Sequence, residues 1–141
     1  MQLFNVAASG AGLDGNQASP GAVPKHDGVP NLLKYAFNMN LGSPDLRRLV
    51  PTSGTAGLPS IFLHGSGPAR VLKVEYLRRI GSGLNYQPKW STSLLPGTFV
   101  AMTGTAFVTP INNLWERVEI QQPVPSATIQ RAFGIVEVSI P

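Results

Sequence analysis

From Ile61 onward the chain is a run of short segments in which apolar and polar side chains alternate, and this two-residue period restricts it to half-buried β-strands. Leu72, Val74 and Tyr76 alternate with Lys73 and Glu75. Leu114, Val118 and Ile120 share one face of their segment, with Trp115, Arg117 and Glu119 on the other. Near the end, Val136, Val138 and Ile140 alternate with Glu137 and Ser139, while Phe133 and Ile135 fall on the second face, so the first half of that strand is expected to be covered on both sides. The segments Ile61 to Leu63, Val71 to Arg79, Tyr86 to Ser91, Phe99 to Met102, Leu114 to Gln121 and Ala132 to Ile140 are separated by Gly, Pro, Ser, Thr and Asn. The 15 Gly and 13 Pro argue against a helical bundle. The expected class is all-β, an antiparallel β-sandwich over residues 46–141 with one short N-terminal helix. Pro88 cannot donate to a ladder, which places it at an edge or a bulge.

Residues 1–24, rich in Gly, Ala, Ser, Asn and Pro with no persistent period, read as a flexible leader or the end of a linker. Residues 25–45 read as a turn followed by the helix. Leu32, Leu33, Ala36 and Phe37 recur at helical spacing, and Pro30 sits early, where its missing N–H costs least. Asp27-Gly28 precedes this helix. Asp27 and Asn31 could present two side-chain oxygens to a hard cation, against the roughly six to eight that calcium takes. Otherwise Asp27 serves as a helix-starting residue near the positive end of the helix.

The absence of cysteine excludes disulfides, thiolate metal sites and cysteine nucleophiles without fixing a compartment. The start MQLFNVAASGAG has no basic region followed by a sustained apolar core, and no apolar run approaches the ~20 residues that span a bilayer. The net charge of +4 gathers partly in Arg70, Lys73, Arg78, Arg79 and Lys89. On a strand, Lys73 and Arg79 face one side while Arg70 and Arg78 face the other. The reading is a solvated strand surface that resists edge pairing, with no nucleic-acid partner.

The catalytic inventory is thin. There are two histidines, His26 and His64, and no H-x-x-x-H pair to place two imidazoles on one helical face. Ser66 follows His64 in the run LHGSG, a possible hydrolytic pair or simply a turn after a strand. Glu116 and Glu119 lie on opposite faces of a strand and cannot act together on a sugar. Trp90 and Tyr86 read as core. Trp115 is the better surface ring, and with Arg117 and Glu119 it forms the candidate ligand-binding face.

Several of these motifs resemble a known family arrangement. The segment HDGVPNLLKYAFNMN is similar to the loop-helix D-x-D-G-x-x-N-x-x-E-Y-x-x-G-x-D-P, akin to thrombospondin type 3 and dockerin calcium loops. In large secreted bacterial proteins that element precedes a C-terminal all-β module, whose pattern resembles YLRR at Tyr76 to Arg79, LNYQPKWSTSL at Leu84 to Leu94 and RAFGIVEV at Arg131 to Val138. Asp27, Gly28, Asn31 and Tyr35 agree with the loop, whereas Lys25 and Lys34 stand where carboxylates are usual, and Asn38 and Asn40 replace the glycine and the aspartate. The resemblance implies an extracellular or cell-surface location as part of a longer exported parent. Two functions are then expected. One is a non-catalytic binding or anchoring module for polysaccharide or the cell surface. The alternative is a small calcium-assisted hydrolase of an ester or lactone, with Asp27 and Asn31 near the metal and His64 as base.

Overall fold

The protein is described by a computed structural model covering residues 2–124 and 131–141. Seven strands form two antiparallel sheets: β1 (Ser60–His64), β2 (Val71–Arg79), β3 (Asn85–Ser91), β4 (Val100–Ala101), β5 (Thr105–Pro110), β6 (Trp115–Pro123) and β7 (Phe133–Ser139). The order is β1-β2-β6-β5 in the four-stranded sheet and β4-β3-β7 in the three-stranded one. The registers follow the alternation. Val74 lies opposite Ile120 and Tyr76 opposite Val118, so the even-numbered side chains of β2 and β6 face inward together. Leu72, Val74, Tyr76, Val118 and Ile120 are buried there, and Tyr86, Trp90, Val136 and Val138 from the other sheet pack against them. Each such aliphatic side chain contributes roughly 1.5–3 kcal/mol through burial. At Gly134 an added Cβ would stand 3.0 Å from Val74 and 3.1 Å from Ile61, so the absence of a side chain lets β7 approach the opposing sheet.

All six expected β segments are strands, and a seventh, β5, is added. Its sequence, TAFVTP, is exposed at every position and so carries no buried-face pattern. Between β4 and β5 the chain passes from one sheet to the other. Buried Gln122 holds the crossing, its Oε1 accepting from the backbone N–H groups of Thr103 at 2.8 Å and Gly104 at 3.1 Å. A Cβ on Gly104 would overlap the Gln121 carbonyl.

Pro88 departs from expectation, because β3 is the central strand of its sheet. The strand tolerates it because the Pro88 carbonyl accepts from Met102 N–H just past the end of β4, so the missing donor falls where the ladder already stops. Ile135, expected to be covered, is 40% exposed.

The larger correction concerns residues 1–24. They contain helix α1 (Gln2–Gly10) and a 3-10 turn at Gly15–Ala18. Phe4, Ala8 and Leu13 are buried with Tyr35 and Leu41 in a second small core. The Phe4 ring meets Tyr35 edge-on, with centroids 5.5 Å apart. Phe4 and Ala8 are one helical turn apart, a spacing hidden by the surrounding Gly, Ala and Ser.

The expected helix is α2 (Asn31–Ala36). Its burial is not one-sided. Leu33, Ala36 and Phe37 join the sandwich core, Tyr35 meets α1, and Asn31 and Lys34 are fully buried. Asn31 Nδ2 donates to the carbonyls of Gln17 at 2.6 Å and Ser19 at 3.0 Å, fixing the leading segment to the helix. Among the described residues, no helix is long and apolar enough to cross a membrane.

Candidate functional site

The turn before α2 is organised around an ion pair. Lys34 Nζ lies 2.5 Å from Asp27 Oδ2, with the two side chains 0% and 2% exposed, and also donates to the Ser43 carbonyl at 3.1 Å. Asp27 accepts from Val29 N–H through Oδ1 and from Asp45 N–H through Oδ2. Burial alone would raise the pKa of Asp27, but hydrogen bonds from Lys34, Asp45 and Val29 outweigh it and hold the value at about 2. Asp45, paired with Arg47 and accepting from Asn40 N–H, is also held well below the usual carboxylate range.

The two residues expected to approach a cation therefore do not form a donor set. Asp27 is bound by an ammonium, so although Asn31 Oδ1 is buried without a partner among the described residues, the carboxylate it would have to act with is already neutralised by Lys34. A divalent ion at Asp27 would meet the charge of Lys34 at close range. Among the described residues, no group of three His, Cys, Asp or Glu side chains could hold a metal ion.

Trp115 is the second correction. Its position is 6% exposed, in a small cluster with Leu49 and Leu77. The Arg79 guanidinium covers the ring at 4.3 Å and also lies 4.0 Å from the Tyr35 ring. These two cation–π contacts from one arginine join β2, β6 and α2. Trp115 therefore has no free face for a ligand.

Arg117 and Glu119, by contrast, lie on the outward face of the four-stranded sheet. The registers place Glu75, Glu119 and Phe107 in one cross-strand row, and Arg117 beside Thr109 in the next. Together with Thr52, these residues line a cleft of about 150 Å³. One wall is the loop before β1. Arg117 Nη2 donates to the Gly54 carbonyl at 2.7 Å, and Glu75 Oε1 accepts from Thr52 N–H at 2.8 Å. Arg117 Nε lies 3.1 Å from Glu75 Oε1, an ionic contact without the direction of a hydrogen bond.

The loop is tight. A Cβ on Gly57, at φ +127°, would come within 2.6 Å of the backbone of Arg48 and Leu49. Thr52 has a φ of 67°, unfavourable for a β-branched residue, and the hydrogen bond its N–H donates to Glu75 Oε1 holds it there. Glu75 and Arg117 thus build the cleft. Glu119 and the exposed Phe107, Thr109 and Thr52 present groups to it.

Three further cations pair with carboxylates across neighbouring strands. Arg78 meets Glu116 at 2.5 Å, Lys73 meets Glu119 at 3.8 Å and Lys89 meets Glu137 at 2.9 Å. His64 ends edge strand β1, and Ser66 lies exposed in the turn after it. The His64 ring packs edge-on to Phe62 at 6.4 Å. Among the described residues, no hydrogen bond or ion pair joins His64 to Ser66 or to a carboxylate, so no nucleophile, base and orienting acid are assembled there.

Sequence reasoning missed Phe107, Thr109 and Thr52. Phe107 and Thr109 belong to the strand that was not anticipated, and Thr52 lies in the connection before β1. Glu75 was read only as an alternating polar residue. Its register with Glu119, the one signal that could have identified it, requires knowing which strands are neighbours.

The fold defines a small two-sheet antiparallel β-sandwich with a helical N-terminal cover. No protein-family model matches the chain, and no curated protein is similar to it.

Proposed function

We propose that this is a non-catalytic extracellular module, part of a longer exported protein, that holds carbohydrate against the outward face of its four-stranded sheet. The observation that carries the reading is the cleft in which Phe107, 52% exposed, stands directly across from Glu119. A large exposed ring beside a carboxylate and two threonine hydroxyls provides an apolar platform and hydrogen-bonding groups together, the combination suited to a sugar with its C–H face and hydroxyl rim. The Glu75–Arg117 pair, buried at Glu75 and half-buried at Arg117, supports this role by fixing the cleft wall without consuming the exposed groups.

Affinity electrophoresis through gels cast with soluble polysaccharides tests the reading. Retention of the native chain, lost in Phe107→Ala with an unchanged melting temperature, is the expected result. No retention in any polysaccharide, at concentrations where weak modules are still slowed, would overturn it.

A further inference from the structure

Resting on that carbohydrate reading, we infer that the cleft takes a neutral pyranose unit and discriminates against uronic acids. The charges decide this. The ionisable residues lining the cleft are Glu75, Arg117 and Glu119, two anions and one cation. The cation is already engaged, with Arg117 held between Glu75 and the Gly54 carbonyl. The nearest further cation, Lys73 in the adjacent cross-strand row, lies 3.8 Å from Glu119 Oε1 and faces the Phe62 ring at 5.9 Å. A ligand carboxylate would therefore enter beside Glu119 with no uncommitted cation to receive it, a like-charge contact in a partly desolvated site.

Neutral hydroxyls meet the opposite situation. Glu119 Oε1 accepts from Gln121 Nε2 at 2.8 Å, while Oε2 has no donor among the described residues. A carboxylate oxygen without a donor is a strong acceptor for a sugar O–H, and such charge-assisted bonds exceed neutral ones. The Thr52 and Thr109 hydroxyls can each donate or accept at the rim. Phe107 offers its face to ring C–H groups. At about 150 Å³ the cleft is below the roughly 300–1,000 Å³ of pockets that engulf a drug-sized ligand, so it grips one ring of a polymer that continues across the sheet.

The test is isothermal titration of the full chain with neutral glucan, mannan and galactan oligosaccharides and with oligogalacturonate and oligomannuronate, repeated for Phe107→Ala and Glu119→Gln. Thermal melting confirms that each variant is folded. The expected result is binding of at least one neutral oligosaccharide at least about tenfold tighter than either uronate. Phe107→Ala should weaken it by about tenfold. Glu119→Gln should weaken neutral binding while raising uronate binding, a reversal that a merely structural role would not produce. Preference of the native chain for uronates would overturn this inference and leave the carbohydrate reading standing. Neutral binding unchanged in both variants would overturn the site, and binding of neither class would overturn both conclusions.

Discussion

The ammonium of Lys34 lies 2.5 Å from the carboxylate of Asp27, and both side chains are removed from solvent. A positive charge supplied by the chain itself thus occupies the turn. Breaking a buried pair by removing one partner leaves an uncompensated charge, at a cost of about 3–5 kcal/mol. Lys34→Met should lower the unfolding free energy by that amount in urea titration, with Asp27→Asn somewhat milder because the amide retains an acceptor. Addition of calcium or of a chelator should leave the melting temperature of the native chain unchanged. A rise with calcium would mean that the cation competes with Lys34.

The same turn sets the response to acid. The folded pKa of Asp27, about 2, is below its ordinary value of 3.8, so the folded state binds this proton less readily than the unfolded chain. Its stabilisation is present above pH 4 and is lost as the pH falls towards 2, a contribution of roughly 2 kcal/mol. Asp45 acts in the same direction. Denaturation midpoints measured from pH 6 to pH 2 should decline most steeply below pH 4, and Asp27→Asn should flatten that decline.

Tyr86 links helix to sheet through one oxygen. Its hydroxyl donates to the Ala36 carbonyl at 2.8 Å and accepts from Arg79 N–H at 3.2 Å, while its ring stacks on Tyr76. Burial pushes its pKa up to about 12. Tyr86→Phe should cost about 1–3 kcal/mol by leaving two backbone groups unpaired. In ultraviolet titration this tyrosine should ionise near pH 12. Stability should fall between pH 10 and 12, as the unfolded chain loses the proton first.

Gln122 supports the crossing between sheets. Gln122→Ala strands the N–H groups of Thr103 and Gly104, and denaturant titration should register a loss of about 1–3 kcal/mol. Gly104→Ala should cost at least as much, since its methyl would overlap the Gln121 carbonyl and the backbone would have to shift.

Thr52 tests whether strain belongs to the site. A β-branched residue at φ 67° costs on the order of 1–2 kcal/mol, and asparagine tolerates that region better. Thr52→Asn should stabilise the protein by about 1 kcal/mol in thermal or chemical melts while weakening carbohydrate binding through loss of the threonine side chain. Unchanged stability would mean that the loop relaxes without strain.

How much was legible in the chain depends on whether a signal is local. The period-two alternation at Leu72, Val74 and Tyr76, and again at Val118 and Ile120, determined the strands and their inward faces, because side-chain direction on a strand follows from backbone geometry alone. The apolar spacing from Leu32 to Phe37 likewise determined α2. Neighbour relationships were decided only by the tertiary structure. Trp115 alternates like a surface residue, yet Arg79 from the adjacent strand covers its ring and Leu49 and Leu77 pack with it. Lys34 reads only as a cation where the calcium-loop pattern has a carboxylate until the turn folds Asp27 onto it. The cleft at Glu119 exists because β5 brings Phe107 alongside it and the loop carrying Thr52 closes over Glu75. Burial and charge pairing are properties of what lies opposite, and residues far apart in sequence become opposite one another only when the sheets assemble.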